Sequence, residues 1–124
     1  MLPKIVVYEE QDQWMRLLRQ SLDREAQLIW AVNLTELREH FLQHADLAMI
    51  VVSVDRDPQQ LAATCELVKW LAKKFRGPML AAAYDAEQND ALMRSGCNHS
   101  VVTAKTNTPT IIRHILGLRG APVG

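Results

Sequence analysis

Apolar runs of strand length alternate five times along the chain with stretches of helical period. The strand candidates are residues 4–8, 27–32, 47–54, 78–84 and 100–104. The third, Leu-Ala-Met-Ile-Val-Val-Ser-Val, and the fourth, Pro-Met-Leu-Ala-Ala-Ala-Tyr, are apolar at successive positions. Strands of that kind are buried on both faces, as in a parallel sheet covered by helices on each side.

The intervening segments carry helix start and stop signals. Trp14, Leu17, Leu18, Ser21 and Leu22 share one face after the first strand. Asn33 with Glu36 predicts a capping box ahead of Leu34, Leu37, Phe41 and Leu42. Asp57-Pro58 reads as N-cap and first helical residue, with Leu61, Cys65, Val68, Leu71, Ala72 and Phe75 following at helical spacing. Asp85 with Gln88 opens a fourth helix that Gly96 closes. Thr108-Pro109 opens a fifth, with Ile111, Ile112, Ile115, Leu116 and Leu118 inward. Five strand–helix units with short right-handed connections predict an α/β fold, a doubly wound five-stranded parallel sheet in the flavodoxin-like order 2-1-3-4-5. Residues 1–118 form this domain and residues 119–124 a tail or linker.

Composition narrows the function classes. A chain of 124 residues can bury a core without metal or disulfide. Fourteen Lys and Arg balance fourteen Asp and Glu, so no net field points to nucleic acid or to an acidic membrane. No apolar run reaches the roughly 18–20 residues of a membrane span, and Met1-Leu2-Pro3-Lys4 lacks the features of a signal peptide. Cys65 and Cys97 form no motif and read as free thiols of a cytoplasmic protein.

The chemistry-bearing feature is Glu9-Glu10, which closes the first strand at the carboxyl edge of the sheet, where ligands gather. Two adjacent carboxylates suggest a hard cation such as Mg²⁺. Lys-Ile-Val-Val-Tyr-Glu-Glu-Gln, the run 46–51, the segment 78–85 and Ala-Leu-Met-Arg-Ser-Gly-Cys at 91–97 together resemble the receiver domain of bacterial two-component response regulators, over nearly the whole length. That resemblance implies an acidic pair holding Mg²⁺ and an aspartate phosphoacceptor at the end of strand three. It also implies a Thr or Ser ending strand four, and a Lys and an aromatic residue in strand five. Here the acceptor position falls within 51–54, which holds no carboxylate; Ser53 is the best-aligned polar residue, and Asp55 and Asp57 lie just beyond. The hydroxyl position is Ala83, the Lys position Thr103 with Lys105 two residues on, and the aromatic position Ser100.

Because such sites work by positioning and charge stabilisation, the missing parts predict a degenerate receiver with no catalytic residues and no cofactor, acting by protein–protein contact, with a homodimer among the partners the resemblance implies. The resemblance implies an interface on the fourth helix, fifth strand and fifth helix, drawing on Met93, Arg94, Lys105, Arg113 and His114. The alternative is an active receiver phosphorylated on Asp55 with Mg²⁺ on Glu9 and Glu10; Asp57 is explained as a cap. His40 and His44 have Zn²⁺-compatible spacing, but no third ligand is near in sequence. Cys97-Asn98-His99 reads as a loop rather than a nucleophile–base pair, and no Gly-rich phosphate loop follows strand one. Trp14 and Trp30 are expected on the sheet and Trp70 half-buried.

Overall fold

The computed structural model describes residues 2–54, 57–83, 85–101 and 105–118. The elements run β1 (Lys4–Tyr8), α1 (Asp12–Leu22), β2 (Gln27–Ala31), α2 (Leu34–Gln43), β3 (Leu47–Val52), α3 (Pro58–Lys74), β4 (Met79–Ala81), α4 (Ala86–Ser95), β5 (His99–Ser100) and α5 (Thr108–Leu116). A 3₁₀ turn, Lys105–Asn107, precedes α5. The strands are parallel in the order β2-β1-β3-β4-β5, the expected arrangement.

Alternating side chains of each strand feed two cores. Val6, Tyr8, Ile50, Val52 and Ala81 pack with α2, α3 and α4, while Ile5, Val7, Met49, Val51 and Leu80 pack with α1 and α5. Three predicted caps form: Asn33 Oδ1 accepts from the Glu36 N–H at 2.8 Å, Asp57 Oδ1 from Gln59 at 2.9 Å and Asp85 Oδ1 from Gln88 at 2.8 Å. Each satisfies an amide that the helix itself leaves open.

Some details differ from the sequence expectation. Leu42, expected inward, is 63% exposed, because five helical steps from buried Leu37 carry it well off that face. Met15, not expected, is buried with Leu18 and Leu22 at the i, i+3, i+7 spacing. β4 stops at Ala81 and β5 covers only His99 and Ser100; Val101 still donates its N–H to the Ala81 carbonyl at 3.0 Å, and residues 102–104 of the predicted fifth strand lie outside the described residues.

Gly96 ends α4 at φ 142°, and a Cβ there would stand 2.5 Å from the Cβ of Ala72 on α3. Gly96→Ala is therefore expected to lose about 2–3 kcal/mol, from a disfavoured backbone and an overpacked α3–α4 seam. Urea denaturation checks this, and an unchanged midpoint would show that the seam yields.

Candidate functional site

Hydrogen bonding continues one residue past β1 on both sides. The Glu9 N–H donates to the Ala31 carbonyl at 3.1 Å, and the Ser53 N–H donates to the Tyr8 carbonyl at 3.1 Å. Glu9 thus belongs to extended backbone, where neighbouring side chains leave on opposite faces. It follows Val7 onto the α1/α5 side, and Glu10 follows Tyr8 to the other. The acidic pair adjacent in sequence is split in space.

Glu9 is buried and fully engaged. Its Oε1 accepts from the Gln11 N–H at 2.9 Å, and its Oε2 lies 2.7 Å from Lys105 Nζ. The two side chains are only 4% and 6% exposed. Lys105 Nζ also stands 4.8 Å from the centre of the Trp14 ring, a cation–π distance. The Thr108 hydroxyl donates to the Lys105 carbonyl at 2.5 Å and fixes the turn that aims the lysine inward. The Trp30 indole N–H donates to the Glu9 carbonyl at 2.7 Å, so the backbone here is tied as firmly as the side chain.

Beneath the ion pair lies a cavity of about 10 Å³ bordered by Glu9, Trp14, Val51, Ser53, Ala82 and Lys105. That is room for about one water molecule, not for a phosphoryl group with its metal. Residues 51–54 are all buried. Ser53 faces the cavity, and its Oγ has no hydrogen-bond partner among the described residues. Val54 turns into the opposite core.

Glu10 is exposed, and its Oε1 accepts from the Tyr8 hydroxyl at 2.7 Å. The same hydroxyl accepts from the Gln60 amide, and Thr64 Oγ1 bonds the Gln60 carbonyl at 2.7 Å. Burial, then the carboxylate of Glu10, pushes the Tyr8 phenol well above its ordinary range. This network pins the end of β1 to the first turns of α3. It was not legible in the sequence, where Tyr8 reads only as a strand residue.

Among the described residues the carboxylates do not gather into a Mg²⁺ donor set. One carboxylate is neutralised by lysine, the other points to the far face, and no group of three His, Cys, Asp or Glu that could hold a metal occurs among the described residues. Asp55, the acceptor of the alternative reading, and Thr103, the aligned lysine position, lie outside the described residues.

Ala83 stands where the resemblance places a hydroxyl, and its surroundings are fixed by a residue that sequence reasoning missed. Asn89 Oδ1 accepts from the Ala83 N–H at 2.9 Å, while Asn89 Nδ2 donates to the Val101 carbonyl at 3.0 Å. The buried amide thereby takes over the β4–β5 ladder where the backbones part. Nothing in the 3.6-residue pattern marks it, because an Asn four positions after a cap reads as solvated.

The five interface candidates separate. Met93 (37% exposed), Arg94 and His114 are on the surface. Lys105 is not, being turned onto Glu9. Arg113 is half-buried: its Nε is 2.9 Å from Glu25 Oε2, and its Nη2 donates to the Ser21 carbonyl, so it links α5 to α1. His40 and His44 have ring centres 6.3 Å apart on α2. Cys97 is buried, its thiol pushed up to about 12 by desolvation, and both cysteines are free. Trp70 is half-buried, edge-on to Phe41 with ring centres 5.6 Å apart, and Arg38 and Lys74 lie against its ring.

No family model and no curated protein sequence matches the chain. Solved structures do. A response regulator from Thermotoga maritima superposes with a TM-score of 0.71 at 16% identity, covering 94% of this chain and 99% of that one. The CheY-like protein tadZ from Pseudomonas aeruginosa gives 0.69 at 18% identity, covering 91% and 98%. A two-component response regulator from Clostridium difficile gives 0.74 at 13% identity, covering 93% and 96%. Superposition at these TM-scores over nearly the whole of each chain shows that the chain has the fold of a response-regulator receiver domain.

Proposed function

We propose that the chain is a receiver-like signalling module that works by protein–protein contact, without an aspartyl phosphate and without catalysis. The observation that carries this reading is the Glu9–Lys105 ion pair, which occupies and seals the place where metal and phosphoryl group would meet. A carboxylate already neutralised by a buried ammonium has little left to offer a divalent cation. Ser53 has no His, Asp or free carboxylate bordering its cavity among the described residues to take a proton, which disfavours it as a nucleophile. Ala83 supports the same conclusion, lacking the hydroxyl that would contact a phosphoryl oxygen. Partner binding would use exposed side chains, and Met93, Arg94 and His114 remain candidates on the α4–α5 side. No helix among the described residues is long and apolar enough to cross a membrane.

Incubation with acetyl phosphate and Mg²⁺, followed by intact-mass measurement, is expected to leave the mass unchanged. An added phosphoryl group mapped to Asp55 would overturn the proposal in favour of an active receiver.

A further inference from the structure

The structure carries a second concave region at the opposite end of the sheet, where β4 and β5 begin. It has a volume of about 610 Å³, and its lining includes Arg76, His99 and His114 but, among the described residues, no Asp or Glu. All three side chains are exposed, and none has an ion pair or hydrogen bond among the described residues. In a chain with equal numbers of acidic and basic residues, one unpaired guanidinium and two imidazoles around one depression form a local concentration of basic groups.

The walls are held in place. Asn98 Oδ1 accepts from the Met79 N–H at 2.8 Å, its Nδ2 donates to the Gly77 carbonyl at 3.3 Å, and its own N–H donates to the Met79 carbonyl at 3.1 Å. Asn98 thus locks the segment bearing Arg76 to the strand bearing His99. Gly77 packs on the Phe75 ring, where a Cβ would approach to 2.6 Å, so the chain folds tightly back and presents Arg76 at the rim.

We propose that this depression is a binding site for a small phosphate-class oxyanion carrying two or more charges. A guanidinium offers a planar fork of donors, and each protonated imidazole adds N–H donors and charge, a set that matches a polyanionic oxygen cluster better than a single carboxylate. The site lies far from Glu9 and Lys105, at the other ends of the strands, so it stands or falls separately from the reading of the phosphorylation pocket.

A proton NMR titration of the full chain with pyrophosphate at about pH 6 tests it, because imidazoles are substantially charged there. His40 and His44, on α2 against β1 and β2, serve as internal controls. The His99 and His114 ring signals are expected to move together to saturation with one midpoint, while His40 and His44 stay fixed. Inorganic phosphate should saturate more weakly, and acetate should produce no saturable shift. Arg76→Gln should weaken pyrophosphate binding about tenfold, the scale of one lost charge-assisted contact, with unchanged His40 and His44 signals reporting intact folding. Linear drift without saturation, equal shifts at all four histidines, or undiminished binding by Arg76→Gln would each overturn the assignment.

Discussion

Lys105→Met is expected to destabilise the domain by about 3–5 kcal/mol, the range for removing one partner of a buried ion pair. The cost arises from what stays behind. Glu9 would keep the Gln11 amide as a donor but would face an apolar wall with its second oxygen uncompensated. The cavity below, about 10 Å³, has room for about one water molecule, too little to rehydrate a bare carboxylate. A loss of that size is a large share of the roughly 5–15 kcal/mol that holds a domain of this kind together. Urea denaturation of Lys105→Met, Glu9→Gln and the double variant forms a cycle that isolates the pair. The double variant should recover much of the loss, because an amide needs no countercharge. If Lys105→Met alone cost less than about 1 kcal/mol, the ion pair would be behaving as a solvated surface pair.

Ser53→Asp is the variant that would place a carboxylate back at the end of β3, and it is expected to lose about 3 kcal/mol or more without gaining a phosphate. The new carboxylate would enter a buried cavity already bordered by Glu9, with Lys105 the one cation bordering it among the described residues. Two like charges there disfavour each other, and the α1/α5 side offers little polar surface to compensate. Phosphoryl transfer should still fail, since Glu10 points to Tyr8 on the other face and Ala83 lacks a hydroxyl. The urea midpoint and the intact mass after acetyl phosphate and Mg²⁺ read the two halves of this expectation. Uptake of a phosphoryl group by Ser53→Asp would mean that the acceptor alone had been lost and that the rest of the pocket can rearrange to work.

Much of the fold was written in local pattern. Doubly apolar strands at β3 and β4 imply cover on both faces, and Asn33, Asp57 and Asp85 mark helix starts through a bond each makes within three residues. Errors arose where a residue's fate depends on angle or on distant partners. Leu42 fits an apolar stripe by type but not by rotation, and Arg113 reads as a surface cation although Glu25 and Ser21 of another helix draw it inward. The candidate site was legible as a set of positions and not as an arrangement. Glu9-Glu10 looks like one bidentate feature in sequence, while strand alternation, a rule equally visible there, sends the two carboxylates apart. Lys105 was recognised as a displaced lysine, but whether it reached the pocket depended on the Lys105–Asn107 turn. Asn89 had no sequence signal, because its role exists only where β4 and β5 separate.

The Asn89 bridge bears on how such a protein could carry information at all. A domain that responds to a covalent mark needs two arrangements close in energy, so that the mark can tip the balance between them. Here the β4–α4 corner is stapled to the start of the β5 exit by a buried amide with both ends bonded. The neighbouring Glu9 carboxylate is already neutralised in place by Lys105. If those contacts hold the domain in one arrangement, occupancy of a partner would follow from how much of each protein is present and from their affinity, with no internal population to shift. Signalling through this fold would then be set by synthesis, degradation and local concentration: a stoichiometric component whose message is its abundance.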